Sequence, residues 1–233
     1  MALSLFQLAS LVQNNVSGGL HGEQNFTYSL EQLKDELTLE RNGLLRDLER
    51  KGERPPLAAC AQPINARPLT VADYTRIPGG VGELAGLEDL VRRPVLFFTF
   101  PPLLQMGDMN PVVRYVGPIA RRAPWRLAWK EADVEYDRHK RLRSATPLVF
   151  FDPSTPGQAW VFGAPVAQRT VSLTAVFADP LLAGHYPPHD FTEDSEYPLP
   201  DNLARDIVQR LTNKYISMYG RLNAQPNTGT ARL

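Results

Sequence analysis

The sequence predicts an α+β fold: an antiparallel, β-rich centre with helices before it and a helix plus an extended tail after it. Three observations carry this. Leucines recur at helical spacing over 30–48, and apolar residues do so again over 203–222. Between 95 and 177, short segments rich in Val, Leu, Phe and Trp alternate with Pro, Gly and Asp turn signals. The order helix, helix, β block, helix differs from the alternating strand and helix of a parallel sheet. Four segments follow: helices over 1–52, a connection over 53–93, a β-rich core over 94–200, and a helix with a partner-binding tail over 201–233.

Over 2–16, Leu5, Leu8, Leu11, Val12 and Val16 fall near one helical stripe, and Gly18-Gly19 ends it. The stretch is too short to span a bilayer, is interrupted by Gln7, Gln13, Asn14 and Asn15, and lacks the basic start and cleavage site of a leader. It reads as a packing helix. Ser29 and Gln32 form a capping box, in which the hydroxyl and the amide satisfy backbone donors that an open helix end leaves unpaired. Leu30, Leu33, Leu37, Leu44 and Leu48 follow, and Gly52 before Pro55-Pro56 is a stop. Glu31, Asp35, Glu36, Glu40, Arg41, Arg46, Asp47, Glu49, Arg50 and Lys51 supply a solvated side. This helix packs on its own chain or on a neighbouring subunit.

Residues 53–93 are rich in Pro, Gly and Ala and have little periodicity. Strands are expected at Val95–Phe100, Val112–Val116, Trp125–Tyr136, Leu148–Phe151, Ala159–Phe162 and Val166–Phe177. Asp152-Pro153-Ser154-Thr155-Pro156-Gly157 is a turn by its chemistry. In 125–136, Trp125, Leu127 and Trp129 alternate as a buried face with Arg126 and Lys130 outward, and a bulge or bend is expected near Lys130-Glu131. Residues 179–200 read as a Pro-rich loop. Pro200-Asp201-Asn202 opens the last helix and Gly220 closes it.

Composition sets outer bounds. A chain of 233 residues with 43% hydrophobic and 21% charged residues can bury a sizeable core. Lys plus Arg equals Asp plus Glu, 25 each, so bulk charge gives no argument for nucleic acid or membrane as the main partner. The 21 prolines favour many short elements over a helical bundle. Cys60 is the single cysteine, so neither an intrachain disulfide nor a cysteine metal cluster can form. Between Ala59 and Ala61 it reads as a small core residue.

Few residues carry a signal for chemistry. His185 and His189, with Asp190 beside them, are good zinc-ligand types, but Pro187-Pro188 forbids the helix that would put both imidazoles on one face. A metal-dependent hydrolase built on these three residues is the alternative reading. Gly79-Gly80-Val81-Gly82 lacks G-x-G-x-x-G spacing, and no Gly-Lys-Ser/Thr follows, so it does not make a phosphate loop. There is no G-x-S-x-G elbow, and the carboxylates are scattered. No catalytic residue, cofactor site or metal site is assigned.

Two stretches point to partners. Segment 114–143 is locally basic, with Arg121, Arg122, Arg138, Lys140 and Arg141 the strongest candidates for meeting DNA. Trp125, Trp129 and Tyr136 lie among them, and charge with ring faces is what a nucleic-acid groove uses. The same residues also suit a solvated strand face or a salt-bridged subunit contact. At the C-terminus, Leu203, Ile207, Leu211, Tyr215, Met218 and Leu222 line one helix face. The tail 221–233, Pro226 and Leu233 included, is too polar to order itself. Its thirteen residues reach roughly 40 Å when extended, and its Thr and Asn residues suit addition to a neighbour's sheet edge. Either the tail is a disordered end or a partner holds it.

The leucine helix over Leu30–Leu48, the β-rich runs Pro94-Val95-Leu96-Phe97-Phe98 and Pro147-Leu148-Val149-Phe150-Phe151-Asp152-Pro153, and the helix Leu203–Tyr219 with its tail together resemble a tailed-phage neck protein. The chain is similar to head-to-tail adaptors of short-tailed phages, especially the N4-like group. The resemblance implies a non-enzymatic virion protein forming a ring of usually twelve copies. It would be assembled in the host cytoplasm, docked beneath the portal protein and joined to tail tube or nozzle proteins, with DNA passing through the lumen and no membrane involved. Another tail component, such as a tube or baseplate-like protein, is the other structural reading.

Overall fold

The computed structural model describes residues 3–19, 28–53, 55–70, 95–106, 110–120, 123–130, 132–134, 146–153, 155–165 and 168–223. Helices occur together with antiparallel and mixed sheets, so the fold is α+β. The chain divides into two compact units, one from Met1–Ala59 with Glu193–Leu233 and one from Cys60–Thr192. The first and last of the four expected segments therefore join in one unit.

That first unit is built on α1 (Leu5–Gly19), α2 (Leu30–Arg50) and α5 (Asp201–Asn223), each packed on the other two. Its core takes Leu5, Leu8, Val12 and Val16 from α1, Leu33, Leu37, Leu44 and Leu45 from α2, and Leu203, Ile207, Leu211 and Tyr215 from α5. Each buried leucine contributes about 1.5–3 kcal/mol of apolar transfer free energy. Two reciprocal caps start the helices. Ser29 accepts from the Gln32 backbone N–H while the Gln32 side chain accepts from the Ser29 N–H at 2.9 Å. Ser4 and Gln7 do the same at α1, at 3.0 and 3.2 Å, a box that shares the S-x-x-Q spacing. Gly52 ends α2 with φ +75°, the left-handed conformation that favours glycine. The residues before α1 are tied to those before α5 by a bridge between Ser4 and Glu196 and by the Tyr197 N–H donating to the Leu3 carbonyl at 3.0 Å.

Three expectations for this unit are corrected. Leu11 is 39% exposed, outside the stripe that buries its neighbours in α1. Arg41, expected on the solvated side of α2, is fully buried. Its guanidinium donates to the Asn42 side chain at 3.0 Å and lies 5.9 Å from the Tyr197 ring, which replaces water around the charge. Gly220 does not close the last helix, which continues to Asn223; a glycine weakens a helix without ending it when the backbone bonds continue.

The second unit begins at the end of α3 (Leu57–Cys60), where Cys60 is buried. It holds β1 (Gln62–Ala66), β2 (Leu69–Thr70), β3 (Leu96–Thr99), β4 (Gln105–Met106), β5 (Asn110–Pro111), β6 (Val113–Gly117), β7 (Arg126–Ala128), β8 (Leu148–Phe151), β9 (Gln158–Phe162), β10 (Val171–Ala175) and the short α4 (Pro180–Ala183). The sheets run β1-β10-β6, β2-β3-β9-β8-β7 and β4-β5. All described pairings are antiparallel except β7 with β8, which is parallel.

Ile64, Val116 and Leu173 of the three-stranded sheet share one core cluster with Phe98, Val149 and Val161 of the five-stranded sheet. A second cluster, with Val95, Ala128, Leu148 and Phe150, covers the other face of the five-stranded sheet. β8 is thus buried on both sides, which is why its sequence is an unbroken Leu-Val-Phe-Phe run rather than an alternation.

The long strand expected over 125–136 is short. β7 covers three residues, and 132–134 are helical, with the Asp133 N–H donating to the Lys130 carbonyl at 3.0 Å. Trp125 and Trp129 do share a face, both packed on the first cluster. Leu127 between them is 38% exposed because β7 is the edge strand among the described residues. Of the side expected to face water, Lys130 is exposed, whereas Arg126 is half-buried and Ala128, on the same side, is buried. Within the expected loop 179–200, Asp179 caps α4 by accepting from the Leu181 N–H at 2.9 Å.

Candidate functional site

The residues expected to dock a partner are used inside the helical unit. Leu203, Ile207, Leu211 and Tyr215 recur every four residues along α5, and all four are at most 8% exposed. Tyr215 packs on the Tyr28 ring at 4.6 Å. Met218, one turn on, is 42% exposed. Leu222 lies in α5, but its side chain is outside the described residues, as are Pro226 and Leu233. Arg121, Arg122, Arg138, Lys140 and Arg141 also lie outside them, as do Gly79 to Gly86. Of the basic segment, Arg114 and Lys130 are exposed.

The His185 loop does not assemble a metal centre. No group of three or more His, Cys, Asp or Glu side chains among the described residues could hold an ion. His185, His189 and Asp190 are all exposed. His189 has φ +62°, and its Nδ1 lies 3.1 Å from the Gly184 carbonyl, turned back on its own loop.

One buried cation is well built. Lys34 is 6% exposed at its side chain and donates to Glu193 and, at 2.8 Å, to Glu31. Its ammonium also lies 5.9 Å from the Phe6 ring. Burial alone would lower its pKa, but the hydrogen bonds and charges of Glu193 and Glu31 outweigh burial, so the net shift is upward. It binds α2 to the chain entering α5 and acts structurally.

The second unit carries a pocket of about 220 Å3. Phe100, Trp129, Phe151 and Pro156 supply apolar wall, and Lys130 and Asp152 supply charge. Trp129 stacks on Phe151 at 4.9 Å, and Phe100 meets Phe151 edge-on at 5.5 Å. The predicted β8–β9 turn forms one wall. The Thr155 hydroxyl donates to Asp152 at 2.7 Å, and the Phe100 N–H donates to the Gly157 carbonyl at 2.9 Å. Gly157 has φ +87°, and a Cβ there would lie 2.8 Å from the Phe100 carbonyl oxygen, so only glycine allows this approach. The turn was legible in the sequence. That it closes against Phe100 and Trp129 was not, since no local pattern couples positions so far apart.

No helix among the described residues is long and apolar enough to cross a membrane. No family model matches the chain, and no curated protein matches it closely enough to count as a relative.

Proposed function

We propose that this chain is a structural virion protein, a subunit of an oligomeric ring that joins the portal to the tail around the DNA channel. The observation that carries this reading is the apolar surface of the helical unit. Phe6 and Leu11 on α1, Leu39 on α2 and Met218 on α5 are 43%, 39%, 68% and 42% exposed, although each helix buries its opposite side well. One such residue is ordinary on any protein. Four of them, on all three helices of so small a unit, suit a subunit that neighbouring copies cover. The resemblance to head-to-tail adaptors supplies the rest: about twelve copies, portal on one side, tail tube or nozzle proteins on the other, and the virion neck as location. The role is mechanical, and DNA in the lumen is met without reading sequence. Any of Arg121, Arg122, Arg138, Lys140 and Arg141 that line the lumen are multiplied by the copy number.

Native mass spectrometry of the purified chain tests this. The expected result is an assembly near twelve times the 26.0 kDa chain mass, weakened in Leu39→Glu. A monomer at every concentration, with portal protein present or absent, overturns it. Six or three copies would move the protein from the portal side to the tail side.

A further inference from the structure

We propose that the pocket between the β8–β9 turn and Trp129 is a docking socket for one aromatic side chain of a partner polypeptide, with an acidic group of that partner seated on Lys130. Three observations carry it, and none depends on the copy number of this chain.

The first is size. At about 220 Å3 the pocket falls below the roughly 300 Å3 at which pockets begin to take a drug-sized molecule or a cofactor. A single ring-sized group fits, and a group that small is held usefully only when the rest of its chain adds contacts outside. Pro153 and Pro156 at the rim are exposed and open to such contacts.

The second is rigidity. Trp129, Phe151 and Phe100 are fixed by ring contacts on one another. The facing turn is fixed by the Thr155–Asp152 and Phe100–Gly157 hydrogen bonds. A preformed wall of rings and prolines favours a flat, rigid guest over a flexible aliphatic one, because little ordering entropy remains to be lost.

The third is charge. Lys130 is exposed, lines the pocket, and makes no ion pair within 4.0 Å among the described residues. Asp152, the other charge in the lining, already accepts the Thr155 hydroxyl. That hydrogen bond ties the Asp152 carboxylate to its own turn without cancelling its charge, whereas Lys130 is the cation a guest can reach, and a carboxylate next to the ring complements it.

The test is titration of the full chain followed by the NMR signal of the Trp129 indole N–H, identified by its loss in Trp129→Phe. The probes are N-acetyltyrosine, its neutral amide, N-acetylleucine and adenosine monophosphate. N-acetyltyrosine is expected to move the Trp129 signal and to bind about fivefold tighter than N-acetylleucine, the margin an aromatic contact adds. It is also expected to bind about threefold tighter than its amide, as an exposed ion pair allows. Lys130→Met, at an exposed position, should abolish that second preference and keep the first. Equal binding of the leucine and tyrosine probes, tighter binding of the nucleotide, or an unmoved Trp129 signal at the solubility limit overturns the proposal.

Discussion

At the residue scale, two side chains set how the helical unit responds to pH. Tyr215 is 1% exposed, and burial together with the nearby Glu36 carboxylate pushes its phenol well above the ordinary range. Lys34 is also shifted upward, by Glu193 and Glu31 against its own desolvation. Each group holds its proton more tightly folded than unfolded. Each contribution is therefore complete below the unfolded pKa of about 10, and is lost as pH rises through the folded value. Stability should be flat with respect to these two groups through neutral pH and fall above about pH 10. Tyr215→Phe should flatten part of that alkaline limb while changing stability at pH 7 by about 1 kcal/mol or less, measured by urea unfolding across pH. An alkaline limb of unchanged slope would remove Tyr215 from this account. Lys34→Met should cost about 1 kcal/mol at pH 7. The cost stays small because Glu31 and Glu193 are 76% and 45% exposed at their side chains and can turn to water once the lysine is gone.

At the scale of elements, local chemistry decided what could be read. The Ser29–Gln32 box, the Gly52 stop, β8 and the Asp152–Gly157 turn each depend on residues within a few positions, and each lies where the sequence puts it. The Ser4–Gln7 box has the same spacing as Ser29–Gln32 and was equally open to reading. What failed depended on distant partners. The end of β7 follows from its parallel pairing with β8, and Leu127 is exposed because no strand among the described residues lies beyond it. Arg41 is buried because Asn42 and Tyr197 receive it. Substitutions should follow the same division. Ser29→Ala should cost about 1 kcal/mol in thermal unfolding, since it removes one cap. Gly157→Ala should cost about 1–3 kcal/mol, because a side chain at φ +87° is strained and its Cβ meets the Phe100 carbonyl. A fully tolerated Gly157→Ala would mean that the pocket wall is not held by this approach.

At the scale of the whole molecule, the sequence shows helices at both ends but not that they close into one unit, for Lys34 and Glu193 stand 159 positions apart. The closure turns an apparent docking stripe, Leu203 to Tyr215, into core, and leaves Phe6, Leu11, Leu39 and Met218 as exposed apolar side chains. That shift fixes how an assembly should respond to salt. The formal net charge is zero, so copies neither repel nor attract strongly through bulk charge. If the exposed apolar side chains drive association, raising salt from about 0.1 M to 1 M should leave the assembly intact or tighten it. Screening shortens from about 10 Å to 3 Å over that range, yet apolar burial is not weakened by screening. Held together by exposed ion pairs instead, the assembly would dissociate over the same range. Sedimentation velocity at the two salt concentrations separates these outcomes. Leu39→Glu, which places a charge where α2 now shows its most exposed leucine, should lower the assembled fraction at both. Dissociation by salt, with Leu39→Glu assembling normally, would mean that the neighbours are held through another surface.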